Sequence, residues 1–327
     1  MKILFVVDGN NKIGMGHVYR SINLAKEFKK NRHDVVFLTK EIPSKKIISS
    51  KFECKFFTKL NQNSTKIFIQ NFSPHLIILD KLNETKLNLN ILHKFCPIVS
   101  IDYRGKNSQL IDLGLNILYP KSGTCNNCIS SFNYAIIDNQ FHRYRKKTIS
   151  KKIKSILILQ GGADTYCFIP KIIKSISTID QNFKINVVIG PSFNCWQKLN
   201  KILKSTKKPV KIYQNTKNIA SIMIKSDLAI TAAGNTLLEL SYLGIPSLVI
   251  CAEKFELETA NLLQKQGFGI NAGFGKNLTN SKIKLQSLQI ISNYKLRKEM
   301  NSLGPKIVDG KGAINIVKLL ESKFMKK

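Results

Sequence analysis

The first candidate for chemistry is a glycine-containing turn near the start of the chain, which reads Asp8-Gly-Asn-Asn-Lys-Ile-Gly14-Met-Gly16-His17. Gly14 and Gly16 let the backbone approach a ligand closely, and they lead into a predicted helix whose N-terminus attracts anions. A dinucleotide fingerprint needs a third glycine, and a Walker loop needs a following Lys-Ser/Thr pair. Neither is present, so the turn is a candidate anion-binding loop outside both classes.

His17 lies at or near the start of that helix. The helix dipole there disfavours a charged imidazole, and a neutral imidazole is what a general base requires. A histidine that merely caps the helix is the alternative, and the residue types favour neither.

A second turn, Gln160-Gly161-Gly162-Ala-Asp164, follows the apolar run Ile156–Leu159. The paired glycines suggest backbone that lines a cleft, although a plain turn reads the same way. Asp164 is suited to cap the next helix.

A third turn connects a small-residue strand end to a helix and reads Thr231-Ala-Ala-Gly234-Asn235-Thr236-Leu-Leu-Glu239. The backbone N–H groups of Gly234, Asn235 and Thr236 can bind a pyrophosphate. Glu239 either stabilises the start of the helix or accepts hydrogen bonds from two ribose hydroxyls.

Short apolar runs alternate with amphipathic stretches along the whole chain, which indicates parallel sheets covered by helices. Predicted strands in the first half are Lys2–Val7, Asp34–Leu38, Leu76–Asp80 and Ile98–Asp102, and Val18–Lys30 is a helix. Residues 105–138 give no clear pattern.

After the basic, polar segment Phe141–Lys152, the best candidate for a linker, the alternation restarts. Predicted strands are Ile156–Gln160, Ile185–Gly190, Val210–Tyr213, Leu228–Ala232 and Ser247–Cys251; predicted helices are Ile169–Ile176, Trp196–Lys204, Ile219–Lys225, Thr236–Tyr242, Leu257–Lys265 and Ala313–Phe324. We therefore expect two doubly wound, Rossmann-like α/β domains, residues 1–146 and 147–327, with ligands beyond the carboxyl ends of the strands.

The net charge of +32 in 327 residues is the unusual number in the composition. Six basic residues are arginine and the other forty-six are lysines spread along the chain, whereas nucleic-acid proteins concentrate charge and favour arginine. We expect a lysine-biased composition, a surface attractive to phosphorylated ligands and no nucleic-acid partner.

The seven cysteines are odd in number and most lie in apolar contexts, as in proteins of the reducing cytoplasm, so we expect a cytoplasmic protein. The apolar runs are far below the roughly 20 residues of a membrane span, and the N-terminal run is too short for a secretory signal. Cys125-Asn-Asn-Cys128 lacks a second pair of metal ligands. It is interpreted as a turn, with neither an integral membrane contact nor a metal or other cofactor expected.

Taken together, the three turns resemble the UDP-2,4-diacetamido-2,4,6-trideoxy-beta-L-altropyranose hydrolases of pseudaminic acid biosynthesis. That family is grouped with spore-coat polysaccharide biosynthesis proteins and is similar to MurG-type glycosyltransferases. The resemblance covers roughly residues 1–275. Its matching segments are Ile13–Ala25, Gly161–Asp164, Val187–Gly190 and Ser226–Pro246, with weaker echoes at Asp80, Ile101-Asp102 and Asp112–Asn116.

The resemblance implies a GT-B-type fold with a UDP-sugar in a cleft between the domains. It implies that His17 is the base that activates water for attack on the anomeric carbon, without a metal. By position, Gly234, Asn235, Thr236 and Glu239 would hold UDP, and Gly161, Gly162 and Gly190 would line the cleft. Arg20, one turn from His17, would serve the phosphates or hold the loop.

Two positions depart from the family pattern. The family usually has arginine two residues before Asp8, where this chain has Val6, and Asn-Gln where it has Lys254-Phe255. Both departures are expected beside the cleft. They keep open a glycosyltransferase of the same fold, which would transfer the sugar to an acceptor in surface polysaccharide synthesis.

Overall fold

The computed structural model describes residues 1–10, 14–118, 127–144, 148–216 and 218–325. The chain forms two compact units. The first comprises Met1–Asp138 together with Lys311–Lys327, and the second comprises Asn139–Gly310.

The first unit contains a seven-stranded, all-parallel sheet. Its strands are β1 (Lys2–Val7), β2 (Asp34–Thr39), β3 (Glu53–Phe56), β4 (Leu76–Asp80), β5 (Ile98–Ile101), β6 (Leu113–Asn116) and β7 (Cys128–Ser130). They lie in the order β3-β2-β1-β4-β5-β6-β7. The strand order therefore reverses between β1 and β4, which is where a sheet of this kind binds ligands.

Four helices connect these strands: α1 (Gly16–Lys30), α2 (Ile42–Ile48), α3 (Asn63–Phe72) and α4 (Lys86–His93). Helix α1 buries one apolar stripe, including Val18, Ile22 and Phe28, against the sheet. The ring of Phe5 in β1 stacks on Phe37 in β2 at 4.8 Å between centroids. This packing fixes the start of α1 beyond the carboxyl end of β1.

Val6, one of the two departures from the family pattern, is fully buried in the core of the first unit, together with Leu4, Ile77 and Leu79. A central parallel strand is covered on both faces, so its side chains pack in the core except at the strand end.

The second unit contains a six-stranded parallel sheet. Its strands are β8 (Ser155–Leu159), β9 (Lys184–Ile189), β10 (Val210–Gln214), β11 (Leu228–Thr231), β12 (Ser247–Cys251) and β13 (Ile270–Phe274). Their order is β10-β9-β8-β11-β12-β13. The switch point lies between β8 and β11, the strands that precede the second and third turns.

The helices of this unit are α5 (Phe168–Ser177), α6 (Trp196–Ser205), α7 (Ile219–Met223), α8 (Asn235–Leu243), α9 (Glu256–Lys265), α10 (Asn280–Ser292) and α11 (Tyr294–Ile307). Buried Arg297 in α11 donates to the carbonyls of Ile290 and Ile291 at the end of α10 and to that of Lys151 at 2.6 Å. It therefore ties the segment before β8 to the α10–α11 pair.

The last helix, α12 (Gly312–Phe324), belongs to the first unit. The sequence analysis had placed it in the second domain, which was expected to comprise residues 147–327. Its buried residues include Ile316, Val317 and Leu320. Glu321 in α12 contacts His33 Nε2 at 2.7 Å. The predicted division therefore differs at both places: the chain leaves the first unit after Asp138 and returns at Lys311.

The expected linker begins inside the second unit, because Phe141 is fully buried there; residues 145–147 of that segment lie outside the described residues. The unclear region 105–138 contains the short strands β6 and β7. Within the described ranges, no helix combines the length and the apolar character that crossing a bilayer requires.

Candidate functional site

The first turn delivers two glycines and His17 to the start of α1. Helix α1 begins at Gly16, and Gly14 has a φ of +82°, a left-handed conformation that favours glycine. The Gly14 N–H donates to the carbonyl of Asn10 at 2.8 Å. Residues 11–13 of the motif lie outside the described residues.

His17 is paired with a buried carboxylate. Its Nδ1 lies 2.6 Å from Asp80 Oδ1, at the carboxyl end of β4, and its side chain is 15% exposed. A carboxylate can only accept, so this short contact places the hydrogen of the neutral imidazole on Nδ1, although Arg20 Nη2, which can only donate, also lies 3.2 Å from that nitrogen. The lone pair is then on Nε2, the nitrogen that a general base needs free.

Arg20 braces this pair from inside the unit. It donates through Nε to Asp80 Oδ2 at 2.8 Å and through Nη1 to Asp102 Oδ2 at 2.5 Å, and it is 4% exposed. Ser21 Oγ donates to Asp80 Oδ2 at 2.8 Å. The guanidinium thus donates hydrogen bonds to two carboxylates. Of the two alternatives given for Arg20, these contacts favour holding the loop over binding phosphates.

These contacts fix the charge state of the network. Burial disfavours ionisation of Asp80, but the positive charge of Arg20 and the hydrogen bonds with Arg20 and His17 outweigh it and hold the pKa of the carboxyl well below its usual range. Burial likewise opposes the charge on Arg20, and Asp80 and Asp102 raise its pKa. Asp80 therefore stays an acceptor and keeps His17 Nδ1 protonated.

Asp102 closes the network at the end of β5. It has a φ of +53°, and its Oδ1 accepts from the backbone N–H groups of Ile117 and Leu118 at 2.7 and 2.8 Å. Both Asp80 and Asp102 were noted in the sequence only as weak echoes of the family. The signal was an aspartate at the end of a predicted strand in each case.

A second ionic cluster stands beside the first. Lys81 Nζ contacts Asp8 Oδ2 at 2.7 Å and also contacts Glu84, and all three side chains are buried. Burial opposes the charge on Lys81, but Asp8 and Glu84 raise its pKa, so the lysine remains a cation. The cluster fixes the end of β1, where the glycine turn begins.

In the second unit, the predicted cap at Asp164 is confirmed. Its carboxylate accepts from the N–H groups of Phe168 and Ile169 at 2.7 and 2.9 Å, at the start of α5. Burial raises the pKa of this carboxyl to about 6, although the two N–H donors oppose the shift.

Three glycines form the turn region beyond β8 and β9. A Cβ on Gly161 or Gly162 would meet no atom within 4 Å, so backbone at these positions borders open space. A Cβ on Gly190 would lie 2.4 Å from the Gly162 carbonyl oxygen. Gly190 therefore allows close packing of the two turns.

Helix α8 begins at Asn235, directly after Gly234. Its cap residue is a glycine without a side chain to bond the first N–H groups, and a Cβ there would meet no atom within 4 Å. Thr236 is the next residue, and half-buried Glu239 follows in the second turn of the helix. Helix N-termini attract anions in general, which keeps these residues as candidates for a nucleotide site.

Glu256, at the start of α9, is a buried carboxylate beside the third turn that the sequence analysis did not single out. Its Oε2 accepts from the N–H of Ala252 at 2.7 Å and from that of Ala233 at 3.5 Å. Burial raises the pKa of this carboxyl, although the hydrogen bonds from the two N–H groups act to lower it. Glu256 thereby joins the ends of β11 and β12 just before α8, and Lys254 and Phe255 immediately precede it.

Cys167 and Cys195 form a disulfide between the starts of α5 and α6, a pairing that the sequence analysis did not predict. Cys125 of the Cys125–Cys128 pair lies outside the described residues. Across the residues that the structure does describe, no group of three or more His, Cys, Asp or Glu side chains could hold a metal ion.

Residues 155–305 match the glycosyltransferase family 28 C-terminal domain. An uncharacterized protein of Methanocaldococcus jannaschii is 32% identical in an alignment of length 278 that covers 79% of this chain. The chain spans only 57% of that relative's length.

Two further relatives have more specific names. The spore coat polysaccharide biosynthesis protein SpsG of Bacillus subtilis is 25% identical over 99% of both chains. The UDP-2,4-diacetamido-2,4,6-trideoxy-beta-L-altropyranose hydrolase of Campylobacter jejuni is 25% identical over 83% of this chain and 98% of its own.

Among solved structures, MurG of Acinetobacter baumannii superposes with a TM-score of 0.72 at 11% identity, over 98% of this chain and 99% of its own. This likeness shows the fold, and together with the two parallel sheets it confirms the predicted GT-B type. The family-level resemblance inferred from the three turns is also confirmed. The chain is therefore a GT-B-type α/β protein whose residues 155–305 match the glycosyltransferase family 28 C-terminal domain, and it has SpsG and the altropyranose hydrolase among its homologues.

Proposed function

We propose that the protein hydrolyses a UDP-sugar of the 2,4-diacetamido-2,4,6-trideoxy-beta-L-altropyranose type, in the synthesis of a pseudaminic-type acid. The observation that carries this proposal is the contact of 2.6 Å between His17 Nδ1 and buried Asp80, which leaves Nε2 as a base. The similarity to the Campylobacter hydrolase supports the choice of substrate.

In the proposed reaction, His17 Nε2 takes a proton from water as the water oxygen attacks the anomeric carbon. The bond between that carbon and the diphosphate oxygen breaks, and UDP leaves with the electron pair. The products are the free sugar and UDP. Asp80 stabilises the imidazolium that forms, as a buried carboxylate does in a catalytic triad.

The second unit would bind the nucleotide. The glycine-capped N-terminus of α8 offers the N–H groups of Asn235 and Thr236 to the diphosphate, which the helix dipole favours. Glu239 would accept from the ribose hydroxyls. Gly161 and Gly162 would border the substrate, while Gly190 holds their turn in place.

The test follows the anomeric proton signal of the UDP-diacetamido sugar by NMR. We expect the wild-type protein to convert it to free sugar and UDP. His17→Asn should abolish this conversion while UDP still binds. His93→Asn is the matched control, because His93 is also in the first unit but is 47% exposed, and its Nε2 lies 3.3 Å from the half-buried Asp112. Full activity of His17→Asn would refute the mechanism.

A glycosyltransferase is the second candidate, and the match of residues 155–305 to a glycosyltransferase domain favours it. His17 would then deprotonate an acceptor hydroxyl in place of water. A UDP-sugar that is stable with the protein alone, but is consumed when a sugar or lipid acceptor is added, would support transfer over hydrolysis.

A further inference from the structure

Gln160 is a buried amide that lacks hydrogen-bond partners. The residue is 4% exposed, and neither its Nε2 nor its Oε1 has a hydrogen-bond partner among the residues that the structure describes. Native proteins pair nearly all buried polar atoms, because an unpaired one destabilises the fold. An amide with both atoms unpaired does not stabilise the fold, which suggests that its hydrogen-bonding atoms serve a ligand.

Its position is at the switch point of the second sheet. Gln160 directly follows Leu159, which pairs with Thr231 of β11. Gln160 is thus level with Ala232, two residues before Gly234, and neighbouring strands lie about 4.8 Å apart. Residue 160, which carries the unpaired amide, therefore stands beside the segment that leads into α8.

The backbone next to this amide is open. A Cβ at Gly161, Gly162 or Gly234 would meet no atom within 4 Å. No side chain at these three positions separates the amide from a ligand at the start of α8. By contrast, both carboxylate oxygens of Asp164, the other polar side chain of this turn, accept hydrogen bonds from N–H groups at the start of α5.

We propose that Gln160 is a specificity-determining residue for the diphosphate–sugar part of the ligand, an assignment that rests on the proposed function. Its Nε2 donates to a phosphate oxygen held at the start of α8. Its Oε1 accepts from a hydroxyl or an acetamido N–H of the sugar. An amide suits this position because it supplies a donor and an acceptor without a charge that would repel the diphosphate.

The experiment measures affinities for UMP, UDP and the UDP-diacetamido sugar by isothermal titration calorimetry. Gln160→Leu should weaken binding of UDP by about tenfold, which is the effect of one lost hydrogen bond to a charged group, and binding of the UDP-sugar by at least as much, because its sugar loses a second hydrogen bond. Binding of UMP should change less than twofold, and the midpoint of thermal unfolding should stay equal or rise.

Gln286→Leu is the matched control, because Gln286 Oε1 is also buried without a hydrogen-bond partner among the described residues but lies in α10. It should leave all three affinities unchanged. Gln160→Glu keeps the size of the side chain and should weaken UDP binding further than Gln160→Leu, because a carboxylate repels the diphosphate.

Wild-type affinity of Gln160→Leu for UDP and the UDP-sugar would overturn the assignment. An equal loss for UMP would also overturn it, since the residue would then contact the nucleoside or hold the fold. If the wild-type protein binds none of the three ligands, the proposed function itself fails and the assignment falls with it.

Discussion

Replacing Asp80 by asparagine tests how the buried network controls His17. The Asp80 carboxylate is fully buried and accepts hydrogen bonds from His17, Arg20 and Ser21. An asparagine of the same size would present an NH₂ group to one of these donors. Where that group faces Nδ1, it favours the tautomer with the hydrogen on Nε2, and the base is lost.

Two magnitudes follow from this geometry. Breaking a buried ion pair by removing one partner costs about 3–5 kcal/mol, and the amide keeps one acceptor, so we expect about 3 kcal/mol in the free energy of unfolding. Loss of a general base lowers the rate by about 10²–10⁴-fold.

Asp102→Asn is the matched comparison, because Asp102 pairs with Arg20 at 2.5 Å and is not among the groups that contact His17 in the described hydrogen bonds. Urea unfolding followed by circular dichroism at pH 7 should show a similar loss of stability for both variants. The rate of UDP release at saturating UDP-sugar should fall much further for Asp80→Asn. Equal rates for the two folded variants would refute the assigned role of Asp80 in orienting His17.

Two further predictions concern the second unit. Gly190→Ala should lower the free energy of unfolding by about 1–3 kcal/mol, because its Cβ would lie 2.4 Å from the Gly162 carbonyl oxygen. Gly162→Ala, whose Cβ meets open space, is the control, and both variants are measured by urea unfolding. An equal loss of unfolding free energy in the two variants would contradict the packing role of Gly190. Asp164 has a pKa raised to about 6, so between about pH 4 and 6 the native state holds a proton that the unfolded chain has lost, and the stability due to this residue falls as the pH rises. Asp164→Asn removes this titration and should therefore gain stability relative to wild type from pH 4 to pH 7; a constant difference between the two proteins would contradict the raised pKa.

The sequence predicted the central strands well, because a strand buried on both faces is a continuous apolar run. Lys2–Val7, Leu76–Asp80 and Ser247–Cys251 were each predicted with the bounds that the structure has. Strands β6 and β7 were missed, since four and three residues are too few to show a pattern.

The candidate site was only half visible in the sequence. The glycines and His17 could be found because turn, helix start and motif lie within one stretch of chain. The contacts of the two aspartates could not, because Asp80 and Asp102 are 63 and 85 residues away from His17 and approach α1 only when β1, β4 and β5 pair, where Asp80 contacts His17 and Asp102 contacts Arg20. Arg20 was singled out in the sequence, but its burial and its contacts with Asp80 and Asp102 are properties of the folded unit.

The C-terminal helix was predicted as an element but assigned to the wrong unit. Its amphipathic pattern shows that one face is apolar, and it does not show which surface that face will cover. The structure shows that α12 covers part of the first unit, where Glu321 meets His33.

The return of α12 to the first unit has a consequence for biosynthesis. Residues 139–310 are contiguous, so the second unit has all of its chain once they have left the ribosome. The first unit, which carries His17, is complete only after residue 311 and those that follow have also been made. The unit whose synthesis starts first is therefore the last whose chain is completed. Translation that stops after residue 310 would leave the apolar surface under α12 uncovered.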